Sequence, residues 1–275
     1  MKAVQTLAAI NAHYVKTRGD DKPRKYLGAS AIGDDCSRKL WYGFRHCSQE
    51  KFEGRMLRLF ERGHLEEKRF INFLESIGCT VWADNGTGQF TAKALGGHFS
   101  GSIDGVVKGM PDLPFPKEPA LLEMKTHNDK SYKLLINQGI LKSKYQHYIQ
   151  MQTYMNLMKL KQAVYMAVNK NDDNIHIEVI QLNPDVVNQV LQKASSIIFT
   201  NKPPPKCSQD PSWWKCRFCS AHSICHGNKL PPKSCRTCKF AQPMVDGGWK
   251  CEFNNSAIHT QVGCQDHEYI PELKK

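Results

Sequence analysis

Eight of the eleven cysteines in this 275-residue chain fall between Cys207 and Cys264, and that crowding limits what the C-terminal part can become. Cys235, Cys238, Cys251 and Cys264 are spaced C-x2-C-x12-C-x12-C, which is metal-ligand spacing rather than a disulfide framework. A stretch this short and this poor in apolar residues needs its metal to fold. Residues 233–275 are therefore expected to form a zinc-ribbon-like module on those four thiolates, with His267 in "CQDH" able to replace one. Its Lys233, Arg236 and Lys239 lean toward an acidic partner. Cys216, Cys219 and Cys225 form a second set, C-x2-C-x5-C, within 207–228. Zinc bound locally with Cys207 as fourth ligand is one way to complete it. Cys47 and Cys79 read as small core residues. Proline-rich "NKPPPK" and "NKLPPK" set the two cysteine segments apart from the body and from each other.

The charge narrows the partner. Lys and Arg number 38 against 26 Asp and Glu, a net +12, which favours a polyanion and most simply nucleic acid. No apolar signal segment opens the chain and no run approaches the length of a membrane span. A cytosolic protein without a membrane partner is expected, in a compartment where thiols stay reduced. No G-x-x-x-x-G-K-[ST] loop occurs, so a nucleotide-driven motor is excluded.

Periodicity gives the body. Residues 1–18 read as a helix, followed by the charged loop "TRGDDKPRK". A second helix is expected over 56–78, with Phe60, Ile71 and Leu74 on one stripe and His64 and Glu67 on that same stripe. "CTVWAD", "GQFTAKA" and "GGHFSGSIDGVVKG" (96–109) read as three strands, and "PALLEMKTHND" as another after the irregular insert at 109–118. Residues 131–160 look helical, "QAVYMAVNKNDDNIHIEVIQL" is a hairpin, and Asn183 with Pro184 starts a last helix. This order predicts an α/β fold, a mixed central sheet flanked by helices, with residues 1–206 as the core and 207–228 completing it.

Within "PALLEMKTHND", strand alternation puts Glu123 and Lys125 on one face and Leu122 and Met124 on the other. A surface ion pair is the plain reading; a metal-ligating carboxylate beside a lysine that orients water is the sharper one. Its companions are Asp104, set between glycines in "GSIDG", His64, and the helical pair Gln150 and Tyr154, with Gln146 one turn before. Two carboxylates make a hard-oxygen site suited to Mg²⁺ or Mn²⁺. Phosphodiester hydrolysis needs such a cation, and a lysine can offset charge in the transition state.

The string H…G-x-x-D…E-x-K…Q-x-x-x-Y resembles the RecB-like exonuclease branch of the PD-(D/E)XK nuclease superfamily, over roughly residues 26–226. The resemblance implies a restriction-endonuclease-like core with His64, Asp104 and Glu123 as ligands of Mg²⁺ or Mn²⁺. It implies Lys125 as the catalytic lysine and Gln150 and Tyr154 as the helix motif. It also implies a metal-dependent DNA nuclease, an exonuclease in DNA recombination, repair or processing. A stand-alone phage or bacterial version would work beside a single-strand annealing protein or a helicase. Cys36 with Cys216, Cys219 and Cys225 resembles the iron–sulfur staple of CRISPR-associated and AddB-type relatives, which implies a four-iron cluster; zinc with Cys207 stays open. A CRISPR spacer-processing nuclease and a non-catalytic, metal-stabilised DNA-binding protein are the rival readings. A mere binder has no need of the acidic, histidine and lysine set.

Overall fold

The computed structural model describes residues 2–18, 23–84, 86 and 88–274; of the charged loop, residues 19–22 lie outside them. In chain order the elements begin α1 (Val4–Arg18), β1 (Leu27–Gly28), α2 (Ser37–Phe44), α3 (Gly54–Ser76), β2 (Thr80–Trp82), β3 (Thr91–Ala94), β4 (Phe99–Ser102), β5 (Gly105–Lys108) and β6 (Ala120–His127). There follow α4 (Asp129–Ser143), α5 (Tyr145–Leu157), β7 (Gln162–Asn169), β8 (Ile175–Gln181) and α6 (Pro184–Phe199). Two single turns, α7 (Trp214–Arg217) and α8 (His222–Cys225), precede β9 (Ala241–Pro243), β10 (Trp249–Cys251) and β11 (Ser256–Ala257). Among the described residues no helix is long and apolar enough to cross a membrane.

The contacts divide the chain into two compact units. The first holds the described residues of Met1–Lys22, Lys51–Ala92 and Ser102–Pro184; the second holds Pro23–Glu50, Lys93–Gly101 and Asp185–Lys275. The boundary at residue 206 read from the proline runs is not where the structure divides. Residues 23–50 and 93–101 pack with the C-terminal segments instead, which no local composition could announce.

The first unit is an α/β layer built on a five-stranded mixed sheet in the order β2-β5-β6-β7-β8. β6 and β7 run parallel, joined through α4 and α5, while the remaining pairs are antiparallel. One face of the central strands is apolar by alternation. Ala120, Leu122 and Met124 join Val164, Met166 and Val168, and Phe70 and Leu74 of α3 close over them. The 109–118 insert contributes Met110 and Leu113 to this same cluster, so it is irregular but anchored.

Three expectations are corrected here. Of the expected stripe through Phe60, His64, Glu67, Ile71 and Leu74 only Leu74 is buried; the buried stripe of α3 is Leu57, Glu66, Phe70 and Leu74. Phe60 is exposed and stacks edge-on against Phe52. Both helix faces carry apolar residues, and packing selects the one that buries Phe70 and Leu74. The run 96–109 is two strands, because β4 pairs with β1 whereas β5 pairs with β2 and β6, so the chain changes sheets at Ile103 and Asp104. The helix over 131–160 is likewise two. Gly139 adopts φ +67°, which glycine tolerates, and the bend lets the Ile140 N–H donate to the Glu178 carboxylate at 3.0 Å.

The second unit contains α2, α6 and the small antiparallel sheet β11-β10-β9. Arg45 and Arg236 are fully buried at its centre. Arg45 donates to the carbonyls of Ala241 and Thr200 at 2.9 and 3.1 Å, and Arg236 to those of Phe44 and Lys25 at 2.6 and 2.7 Å. The Trp249 ring lies between them, 4.9 Å from the Arg45 guanidinium and 4.7 Å from that of Arg236. Residues 233–274 are thus bolted to α2, not tethered as a separate bead. Close backbone approach does the same at Gly96 (φ +63°), where a Cβ would stand 2.4 Å from the Gly247 nitrogen.

Candidate active site

β6 delivers Glu123, Lys125 and His127 to the same face, two residues apart each time, while its other face enters the core. Asp104 comes from the break between β4 and β5. Its Oδ2 accepts the Met124 N–H at 2.9 Å, which fixes the carboxylate against β6. Lys125 Nζ then stands 3.1 Å from Asp104 Oδ2 and 2.5 Å from Glu123 Oε1, and donates to the Met124 carbonyl at 2.9 Å. Gln150, on α5, donates from Nε2 to Glu123 Oε2 at 3.1 Å. Four of the predicted residues, Asp104, Glu123, Lys125 and Gln150, therefore meet.

The electrostatics follow from burial. Glu123 has no exposed surface, and loss of water pushes its carboxyl up to about 7; Lys125 opposes that rise while Asp104 and Glu67 add to it. Burial works against the Lys125 ammonium, but attraction to Glu123 and Asp104 outweighs it and holds its pKa above the ordinary lysine value. Glu67, partly buried on α3, is raised by desolvation and then by Asp104, so three carboxylates share the field of one ammonium.

Tyr154 lies one helical turn beyond Gln150 and is buried, whereas Gln146 is exposed. His64 is not on the buried face, contrary to the stripe read from sequence. Its side chain is 69% exposed, and Nδ1 sits 3.1 Å from Glu67 Oε1. The inward residue of that pair is Glu67.

A second network on the same strand face escaped the sequence. The Tyr165 hydroxyl, on β7 opposite Glu123 in register, lies 2.8 Å from both His127 Nε2 and His147 Nδ1. Ser131 Oγ reaches His127 Nδ1 at 3.2 Å, and Asn128 caps α4 by accepting the Ser131 N–H. Burial, followed by repulsion from Lys125 and its neighbours, lowers His147 to about 3. Burial followed by Lys144 and Lys125 lowers His127 to about 4, so both rings are neutral near pH 7. The available signal was His127 itself, which shares the alternating face of Glu123 and Lys125.

The cysteines gather into two groups, both in the second unit. Desolvation and the neighbouring Cys36 and Cys216 thiols push the Cys207 thiol up to about 12. Cys219 feels Cys36 and Cys225. Cys36 and Cys207 both lie near enough to the triplet to influence its titration. Cys36 also N-caps α2, its Sγ accepting the Lys39 N–H at 3.4 Å. In the C-terminal group Cys235 is close to Cys264, Cys238 and Cys251, while His267 turns to Thr237 Oγ1 at 3.2 Å.

Among the described residues no three His, Cys, Asp or Glu side chains stand in position to hold one metal ion as placed. At the first site the reason is visible, because the Lys125 ammonium fills the space between Asp104 and Glu123. Glu123 Oε1 is fully buried and its close partner is the Lys125 ammonium, a mobile cation. A buried carboxylate beside two further carboxylates fits a hard divalent cation. The soft thiols of the two cysteine groups fit zinc or iron–sulfur ligation.

No protein-family model matches the chain, and no curated protein sequence matches it. Solved structures do. An alkaline exonuclease (LHK-Exo) from Laribacter hongkongensis is 18% identical, over 68% of this chain and 90% of that one, with a TM-score of 0.47. A protein described as SSO0001 is 12% identical, over 82% and 98%, with a TM-score of 0.45. A phage-related exonuclease from Haemophilus somnus 129PT is 14% identical, over 62% and 91%, with a TM-score of 0.32.

Proposed function

We propose that the chain is a Mg²⁺- or Mn²⁺-dependent deoxyribonuclease, an exonuclease serving DNA recombination, repair or processing. The observation that carries this reading is Lys125, held charged between the part-buried carboxylate of Asp104 and the buried one of Glu123, with Gln150 fixing the second of them. An ion pair kept only for stability gains little from such burial, since desolvating the charges offsets most of their attraction. A site that must receive a cation and an anionic phosphate has reason to keep that arrangement.

Asp104 and Glu123 would hold the metal, with His64 turning in from its exposed position beside Glu67 as third ligand. The bound cation would neutralise charge on the scissile phosphate and acidify a water. Lys125 positions that water and offsets charge on the phosphoryl oxygens as the new P–O bond forms and the P–O bond to the leaving oxygen breaks. Gln150 keeps Glu123 in its rotamer, and Tyr154 packs α5 so that Gln150 stays in reach. The thiols of Cys36, Cys216, Cys219 and Cys225 would carry an iron–sulfur cluster, Cys207 serving if zinc binds instead. Those of Cys235, Cys238, Cys251 and Cys264 would carry zinc. DNA is the substrate, with a single-strand annealing protein or helicase as companion.

Digestion of end-labelled single- and double-stranded DNA with Mg²⁺, with Mn²⁺ and with EDTA tests the proposal. Metal-dependent release of nucleotides from the labelled end is expected. Intact DNA under all three conditions overturns it.

A further inference from the structure

The segment Trp213–Phe218 puts large aromatic rings where the core makes no use of them. Trp214 is 63% exposed and Phe218 is 80% exposed, whereas Cys216 between them is buried. Lys215 Nζ stands 5.6 Å from the ring centroids of both Trp213 and Trp214, and the Arg217 guanidinium stands 5.6 Å from that of Phe218. Lys215 also pairs with Asp35, which fixes its ammonium beside the rings. The surrounding sequence is strongly one-sided. Residues 202–239 hold eight basic side chains against the single acid Asp210. Lys202, Lys215 and Lys239 pair with Glu272, Asp35 and Glu268 and Arg236 is buried, which leaves Lys206, Arg217, Lys229 and Lys233 to set the sign of the surface.

Exposed rings interleaved with cations suit a ligand that offers flat π faces along an anionic backbone. Unpaired bases offer such faces and duplex bases do not, because stacking and pairing hide them. An apolar protein partner would match the rings but leave the positive charge unanswered. We propose that Trp214 and Phe218, with Lys215 and Arg217, form a base-stacking site for single-stranded nucleic acid on the second unit. This deepens the nuclease reading, on which it rests for the choice of polymer, by naming the single strand as what this unit holds.

Binding measured with Mg²⁺ and Mn²⁺ left out separates the two, since the proposed cleavage needs one of them while metal on the thiols stays in place. The full chain is titrated against a fluorescein-labelled oligo(dT), the same backbone without bases, and a closed duplex dumbbell, each followed by anisotropy. Truncating both rings in Trp214→Ala with Phe218→Ala should weaken oligo(dT) binding about tenfold or more, as loss of base–aromatic stacking does. Dumbbell binding should stay within about twofold, since phosphate contacts alone set it. Trp214→Phe should retain most of the oligo(dT) affinity. The wild-type chain should bind the abasic backbone as weakly as the double variant binds oligo(dT), a result that needs no variant to fold. Unchanged oligo(dT) binding in the double variant, equal loss on the dumbbell, or full affinity for the abasic backbone would each overturn the stacking site. None of these results touches the cleavage assignment, which the metal-dependent digestion tests on its own.

Discussion

The two units bury charge in opposite ways. In the first, Lys125 stands between Asp104 and Glu123, so cation and anions meet directly and the ammonium is held more strongly protonated. In the second, Arg45 and Arg236 bond to carbonyl oxygens and lie against ring faces, and burial lowers both to about 10. Their Nε atoms have no hydrogen-bond partner. Guanidiniums satisfied by backbone oxygens cannot exchange those partners without unfolding the segments they join. A lysine between two carboxylates can move aside when another cation arrives. The arginine cluster therefore reads as architecture and the lysine cluster as the candidate site.

The contrast is broken most sharply by cutting into the candidate site. Glu123→Ala and Lys125→Ala should each reduce cleavage by about a thousandfold or more, since a cation site and a transition-state charge are lost. DNA affinity measured by anisotropy should stay within about threefold, because basic surface sets it. Near wild-type cleavage in either variant would move the chemistry elsewhere. In the other cluster the loss should appear as stability. Arg45→Met strips the donors from the Ala241 and Thr200 carbonyls, and urea unfolding should register a loss of roughly 3 kcal/mol or more. A loss below about 1 kcal/mol would mean that the bolt holds nothing.

Acid should separate the units more gently. His147 and His127 are depressed in the folded chain, so between their folded values and about 6.5 the unfolded chain binds more protons. Stability is then full above pH 6.5 and lost as pH falls toward 4, by up to about 2 kcal/mol per ring at pH 5. Thermal melts at pH 8 and pH 5 should show a drop that His147→Gln reduces; an equal drop in that variant would show that the network does not titrate as described.

Much of the candidate site was legible because it is local. Alternation along β6 put Glu123 and Lys125 together, helical spacing put Gln150 with Tyr154, and glycines marked Asp104. What failed is what packing decides. α3 has two faces with apolar residues, and only contact with the sheet chose Leu57 and Phe70, beside Leu74, over Phe60 and His64. Arg45 carried no local signal, because one of its carbonyl partners lies 196 residues away. The His127–Tyr165–His147 bonds span 38 and 18 residues and follow no period.

The smallest expected effect is at His64. With its side chain 69% exposed, His64→Ala should change stability by less than about 0.5 kcal/mol. It should raise the Mn²⁺ concentration for half-maximal cleavage severalfold if the ring turns in as a ligand. An unaltered requirement would leave Glu67 as the third donor.

Mn²⁺ binding, counted by electron paramagnetic resonance in the absence of DNA, tests the central claim most directly, because a hard cation ignores the thiols and reports on the carboxylates. Wild-type protein should bind Mn²⁺, and Glu123→Gln, which removes one carboxylate charge and keeps its shape, should weaken that binding by about tenfold or more. Equal Mn²⁺ binding by both proteins would show that Lys125 and its two carboxylates are an ion pair and not a metal-dependent active site.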